Sequence, residues 1–293
     1  MRYEGKVYRP PSEADSLILQ ATIGCSWNRC SYCAMYLDKR FRPRPLDELK
    51  EDMDLAASYF GAENIRRVFL ADGDALILRT KRLLEILAEL RARFPNFQRA
   101  SVYASPQSLL SKSVAELAEL KAAGLPLHYM GPETGHDVVL KRIEKGVTAA
   151  EMLEGGRRVL DAGAKLSVIL LLGIGGTELS HEHAVATGRF VSALDPQYVS
   201  ALTLVPVPGT PIHDEVEAGR LVLPDARGRL VELATMLEHM DVTRAIFRSN
   251  HASNALPLGG NLPADKPALL AALRQVIADE GFPLRPPPSP HRL

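Results

Sequence analysis

Cys25, Cys30 and Cys33 are the chain's three cysteines, and all lie within nine residues, spaced C-x4-C-x2-C. Thiolates so close in sequence suit a single metal centre, and sulfur selects soft metals such as zinc or iron in a cluster. An odd count in a reducing compartment argues against a disulfide framework. Three donors are one short of the four that close a structural zinc site or an ordinary iron–sulfur cluster. Two readings stand open. One is a zinc site completed by a distant His or Asp, in a barrel acting as a non-catalytic binding module. The other is a 4Fe-4S cluster with one iron left for a small molecule.

These cysteines need a scaffold, and the pattern around them supplies one. Short aliphatic or β-branched runs at 17–23, 66–70, 100–103, 127–130, 165–172 and 197–205 predict strands. Helix-like segments fall between them at 46–59, 81–93, 113–123, 149–162 and 180–192. Pro45 suits a helix start, and Gly124 and Gly163 suit helix stops. Six strands separated by five helices predict an α/β fold, a partial (β/α)6 TIM-type barrel, with functional groups beyond the carboxyl ends of the strands. The cysteine loop follows the first of these strands. After 205 the texture changes. Pro206, Pro208, Gly209 and Pro211 make a rigid turn, a long helix is expected over 225–247 and another over 266–279. The barrel core is expected over 1–217, with a helical extension over 218–293 whose Pro-rich end, 283–293, frays.

The chain has 293 residues, of which 46% are hydrophobic and 24% charged, a globular composition. Lys plus Arg and Asp plus Glu both total 35, so no bulk charge recruits nucleic acid or an anionic membrane. Arg40, Arg42 and Arg44 form one short basic cluster. The best apolar run, 166–174, is about half the ~20 residues a membrane span needs. The first residues are polar and lack a signal-peptide core, which predicts a cytoplasmic protein.

The segment from Gly24 to Tyr36 is similar to that of the radical S-adenosylmethionine (radical SAM) superfamily, with Tyr32 as the aromatic residue before the last cysteine. The usual first gap is three residues and here it is four. The resemblance implies that Cys25, Cys30 and Cys33 ligate three irons of a 4Fe-4S cluster and that S-adenosyl-L-methionine chelates the fourth. It further implies an external one-electron reductant such as flavodoxin or ferredoxin, and reductive cleavage of the sulfonium to a 5′-deoxyadenosyl radical.

Other segments carry the same resemblance. Asp72-Gly73-Asp74 stands where the superfamily has Gly-Gly-Glu, which implies that these residues, Asp74 above all, meet the methionine amino group; an acidic βα turn with an N-cap is the alternative. Gly131-Pro132-Glu133-Thr134-Gly135, with the continuation 138–146, is similar to the branch containing porphyrin-pathway and tRNA-modifying enzymes. It implies that Glu133 and Thr134 face the cofactor and that Arg142 reaches its carboxylate; helix capping and a solvated arginine are the alternatives. Gly173 and Gly175 resemble the adenine-contact region. Ser105 is read chiefly as a helix cap. His181 and His183, two apart on a helix, face different ways and are read as solvated.

The run 247–254 packs hydrogen-bonding side chains between two apolar stretches. It lines the substrate side, with His251 as proton donor or acceptor and Arg248 as anion holder, or else it is a polar capping loop. No further cysteine is present for an auxiliary cluster, and no N-terminal cobalamin domain is expected. The substrate and the reaction after radical formation are not legible.

Overall fold

The computed structural model describes residues 1–286; of the expected frayed end, 287–293 lies outside the described residues. The chain divides into two compact units that interleave along the sequence. The first holds 1–28, 35–130 and 154–166, and the second holds 29–34, 131–153 and 167–293.

The first unit is built on parallel strands. β1 (Leu17–Gln20) is followed by the short antiparallel pair β2 (Thr22–Ile23) and β3 (Arg42–Pro43), then α1 (Leu46–Phe60), β4 (Arg67–Ala71), α2 (Thr80–Arg93) and β5 (Arg99–Tyr103). Next come α3 (Pro106–Leu110), α4 (Val114–Ala123) and β6 (Leu127–Glu133), whose last residues run into the second unit. β1 pairs β4, β4 pairs β5 and β5 pairs β6, all parallel. Val68, Phe69 and Leu70 are wholly buried, as strands covered on both faces require. The helices bury one stripe each: Leu49, Met53 and Ala56 on α1, and Leu83, Ile86, Leu87 and Leu90 on α2. α4 begins with a capping box between Ser113 and Glu116 and ends at Gly124, whose φ of 115° admits the turn into the next strand.

In the second unit α5 (Asp137–Arg142) follows β6. α6 (Ala149–Asp161) then crosses back, and β7 (Lys165–Leu172), α7 (Ser180–Leu194) and β8 (Tyr198–Thr203) follow. β7 and β8 pair in parallel from Ser167↔Tyr198 to Leu172↔Thr203. The predicted six strands and five helices are all present. α8 (Pro211–Glu217) leads to α9 (Ala226–Glu238), β9 (Ala245–Ser249), β10 (Leu258–Leu262) and α10 (Lys266–Ala278). β9 pairs β8 in parallel and β10 antiparallel.

One expectation is corrected here. The helix expected over 225–247 stops at Glu238, and the extension carries two strands as well as helices. Ala245, Phe247 and Ser249 are buried while Ile246 and Arg248 are exposed, a period of two that no helix keeps. α7 lies close against α9, since a Cβ on Gly188 would come within 2.5 Å of the Met236 carbonyl oxygen.

Candidate functional site

The cysteine loop leaves the first unit's β1–β2 segment at Gly24, whose φ of +74° starts the turn. Asn28 at φ +42° turns the chain again, and its side-chain amide donates to the Tyr36 carbonyl at 2.9 Å. All three cysteines are half-buried.

In the first unit the loop is stitched to the end of β4. Gly24 N–H donates to Asp72 Oδ2 at 3.0 Å, and Gly73 N–H donates to the Gly24 carbonyl at 3.1 Å. Asp72 Oδ2 also takes Gln20 Nε2 at 2.8 Å and Lys39 Nζ at 3.0 Å, while Asp72 Oδ1 is buried without a hydrogen-bond partner. Lys39 and Asp72 are thus a buried ion pair. Gly73 has no room for a side chain: a Cβ would lie 2.4 Å from Tyr36 Cε2 and 2.9 Å from Cys25 Cβ. Asp74 is fully buried and takes Ser105 N–H on Oδ1 at 2.9 Å. Its Oδ2 takes the hydroxyls of Ser105 at 2.7 Å and of Ser26. Ser105 caps α3 as expected, accepting from Ser108 N–H.

In the second unit Cys30 and Cys33 lie on one turn, with Cys33 N–H donating to the Cys30 carbonyl at 3.1 Å. Ser31 between them is held by Ile143 and Ile212 backbone groups. Glu133 ends β6 at φ +64°, a left-handed conformation that swings its carboxyl back over Gly131. A Cβ on Gly131 would sit 2.2 Å from Glu133 Oε1, which is the physical reason for the Gly-x-Glu pattern. Glu133 Oε1 accepts from Tyr32 Oη at 2.7 Å and from Lys145 Nζ at 3.0 Å. Burial alone would push the Lys145 ammonium down, but the Glu133 carboxylate and the Cys30 and Cys33 thiolates outweigh it and raise the group. Burial, then the negative charges of Glu133, Cys30 and Cys33, push the Tyr32 phenol well up, so it stays a proton donor.

Thr134 and His183 form a second buried cluster in this unit. Thr134 Oγ1 lies 2.7 Å from His183 Nδ1, and His183 Nε2 lies 3.4 Å from Glu232 Oε1. Glu232 in turn accepts from Gly173 N–H and from Ser180 Oγ, both at 2.6 Å. His183 is therefore buried, which corrects the solvated reading; His181 is exposed. Arg142, exposed, donates to the Gly175 carbonyl at 3.2 Å and pairs with Glu178 at 3.2 Å.

The polar run of the extension reaches the carboxyl end of β8. Asn254 donates to the Ala201 carbonyl at 2.7 Å and accepts from Thr203 Oγ1 at 2.9 Å; Ser253 Oγ accepts from Thr203 N–H at 3.0 Å. His251 Nδ1 accepts from Ser253 N–H at 3.2 Å, which leaves the ring proton of the neutral form on Nε2. Burial lowers the His251 pKa, so that neutral form prevails near pH 7. Arg248 is exposed and donates to the Phe247 carbonyl at 2.8 Å. The geometry brings out Lys39, Lys145 and Glu232, which carry no role in the sequence reading. Lys145 alone had a signal, its place inside the matched segment.

Among the described residues, no group of three or more His, Cys, Asp or Glu side chains stands in a metal-binding arrangement. The donor set itself fits an iron–sulfur centre. It offers three soft thiols on a loop at a strand's carboxyl end, a buried ammonium whose charge interacts with two of them, and a glycine where a Cβ would strike the first. No helix among the described residues is long and apolar enough to cross a membrane.

Residues 19–187 match the model of the Radical SAM superfamily. The chain is 26% identical over 205 residues to the heme chaperone HemW of Bacillus subtilis, covering 67% of this chain and 52% of that protein. It is 25% identical over 208 residues to an uncharacterised methyltransferase of Pyrococcus horikoshii, covering 70% and 43%. Among solved structures, coproporphyrinogen III oxidase (HemN) from Escherichia coli shares the fold with a TM-score of 0.58 at 18% identity, over 76% of this chain and 51% of that one. The chain spans about half the length of the curated relatives it matches.

Proposed function

The chain belongs to the radical SAM superfamily, a family of enzymes, and from that premise we propose that it cleaves S-adenosyl-L-methionine reductively on a 4Fe-4S cluster held by Cys25, Cys30 and Cys33. The observation that carries the reading is the cysteine loop following the first parallel strand, inside the matched span. When bound, the cluster and S-adenosyl-L-methionine supply one-electron cleavage of the sulfonium and a 5′-deoxyadenosyl radical. The chain's residues bind, orient and shield. Cys25, Cys30 and Cys33 would hold the cluster, a set one ligand short of closing it. Lys145, held by Glu133, keeps an ammonium whose charge interacts with Cys30 and Cys33. In the first unit Gly73 would meet the cofactor's polar end, with Asp72 behind it through its bond to Gly24; in the second, Tyr32, Glu133 and Arg142 would serve the polar end and the turn holding Gly173 and Gly175 the adenine. Asp74 and Thr134 act behind these, through their bonds to Ser26, Ser105 and His183. His251 presents an Nε2–H donor near the β8 end, a candidate to move a proton for the substrate. An external one-electron donor such as flavodoxin or ferredoxin completes the system.

The test is anaerobic purification of the full chain. Expected are broad visible absorbance and about four iron and four sulfide per chain. Reduction with S-adenosyl-L-methionine present then yields 5′-deoxyadenosine, and Cys30→Ala abolishes both. Colourless protein carrying one zinc would sink the proposal.

A further inference from the structure

Cys25 is bracketed. The residue before it, Gly24, gives its N–H to Asp72 Oδ2 at 3.0 Å, and the residue after it, Ser26, gives its hydroxyl to Asp74 Oδ2. Both carboxyl groups are fully buried and both come from the turn that ends β4. Between them Gly73 N–H donates to the Gly24 carbonyl, so three hydrogen bonds join 24–26 to 72–74. We propose that Asp72 and Asp74 are positioning residues that clamp Cys25 for the cluster, with Ser26 as the link to Asp74; this rests on the cluster reading given above.

The alternative role for Asp74 is a direct contact with the amino group of the bound cofactor, and the geometry disfavours it. Asp74 Oδ1 is taken by Ser105 N–H at 2.9 Å, and Oδ2 by the hydroxyls of Ser105 and Ser26. These three donors already take most of the acceptor capacity of a buried carboxyl group, and they come from the N-cap of α3 and from the neighbour of Cys25. Asp74 is instead the middle of a relay running from the α3 N-terminus through Ser105 to Ser26. Asp72 is held from the other side by Lys39 Nζ and Gln20 Nε2, at 3.0 and 2.8 Å on the same oxygen. A buried carboxyl with a buried ammonium and an amide on one oxygen has a fixed direction, and Gly24 inherits it. The clamp therefore limits the freedom of the Cys25 Sγ rather than contributing a ligand. A Cys25 side chain held in one direction would release a cluster more slowly than one free to turn.

The experiment uses the full chain, reconstituted anaerobically, as wild type and as Ser26→Ala, Ser26→Thr, Asp74→Asn and the Ser26→Ala/Asp74→Asn double variant. Three quantities are read: the rate of cluster loss to an iron chelator, the cluster's midpoint potential by EPR-monitored titration, and the Kd for S-adenosyl-L-methionine of the cluster-loaded fraction. Ser26→Ala and Asp74→Asn are each expected to speed cluster loss roughly ten- to hundredfold, the weight of one hydrogen bond to a charged group. The double variant should lose it no faster than Asp74→Asn, because both break one link. Ser26→Thr keeps the hydroxyl and should restore retention. Both single variants should shift the potential, and the Kd should stay within about twofold of wild type. Circular dichroism of Ser26→Ala, which removes one oxygen, checks that folding is intact. A wild type that holds no cluster would overturn the functional reading and this inference with it. A wild type that holds one while Ser26→Ala retains it equally well, and Asp74→Asn weakens only S-adenosyl-L-methionine binding, would overturn the clamp alone.

Discussion

The Glu232 carboxyl group on α9 accepts a 2.6 Å hydrogen bond from the Gly173 N–H, one residue past β7 and 59 positions earlier in the chain. Its other oxygen takes the Ser180 hydroxyl at the start of α7, and His183 Nε2 stands 3.4 Å from the first. One buried side chain thus fixes the glycine turn proposed to face the adenine. Glu232→Ala takes the acceptor from the buried Gly173 N–H and from the half-buried Ser180 hydroxyl, and the carboxylate from beside the buried His183. We expect it to lower the free energy of unfolding by about 2–4 kcal/mol. Glu232→Gln keeps an acceptor for Gly173 and should lose less than half of that. Urea denaturation of both variants decides it, and equal losses would show that the turn does not depend on the acceptor.

A second test concerns the buried pair Lys145 and Glu133, 3.0 Å apart with both side chains under a tenth exposed. Removing one member leaves the other buried without its counter-charge, which costs about 3–5 kcal/mol. Lys145→Met and Glu133→Leu should each destabilise on that scale. The double variant should be far less destabilised than the sum, since no unpaired charge is left. Denaturant unfolding of the four proteins closes the cycle. Additive losses would mean that the two groups do not act as a pair.

How far the sequence foretold this arrangement depends on the range of each interaction. The six strands were legible because buried parallel strands are short aliphatic runs, and Gly124 marked the end of α4 through its own backbone. β9 was not legible. Its alternation lasts five residues and follows directly on a helical pattern, so period three-and-a-half absorbs period two. In the site, the cysteines announce themselves by type and spacing. Asp74 was visible as an acid at a strand end, but its serine partners lie 48 and 31 residues away. Spacing showed that His181 and His183 face different ways; which face is buried was set by α9 lying against α7. Lys39, Lys145 and Glu232 look like ordinary surface charges until their partners, 33, 12 and 59 residues off, are placed.

The third prediction is a pH dependence. His128 on β6 is fully buried, and burial pushes its pKa down to about 4, a backbone contact at Lys165 offsetting only part. The unfolded chain takes up this proton near the ordinary value of about 6.5. Between those values the unfolded state binds a proton that the folded state refuses, so stability falls as the pH falls from about 6.5 to about 4. The full loss amounts to roughly 3 kcal/mol. His128→Leu should flatten that part of the stability profile while leaving the profile above pH 7 parallel to wild type. Urea unfolding at intervals across this range measures it, and an unchanged acid slope in the variant would assign the loss to other groups.

The last prediction separates space from stability at Gly73. An alanine there places its Cβ 2.4 Å from the Tyr36 ring and 2.9 Å from Cys25 Cβ, distances that require something to move. Crowding of this kind typically costs about 1–3 kcal/mol, so Gly73→Ala should still fold but melt lower. Tyr36 is buried, and shortening it in Gly73→Ala/Tyr36→Leu removes the ring from the clash. The crowding against Cys25 remains. Thermal unfolding of the double variant should therefore recover part of the loss, while iron per chain after anaerobic reconstitution stays low in both variants. If iron returned together with stability, the ring alone would have been the obstacle, and the close approach of Gly73 to Cys25 would have no bearing on the cluster.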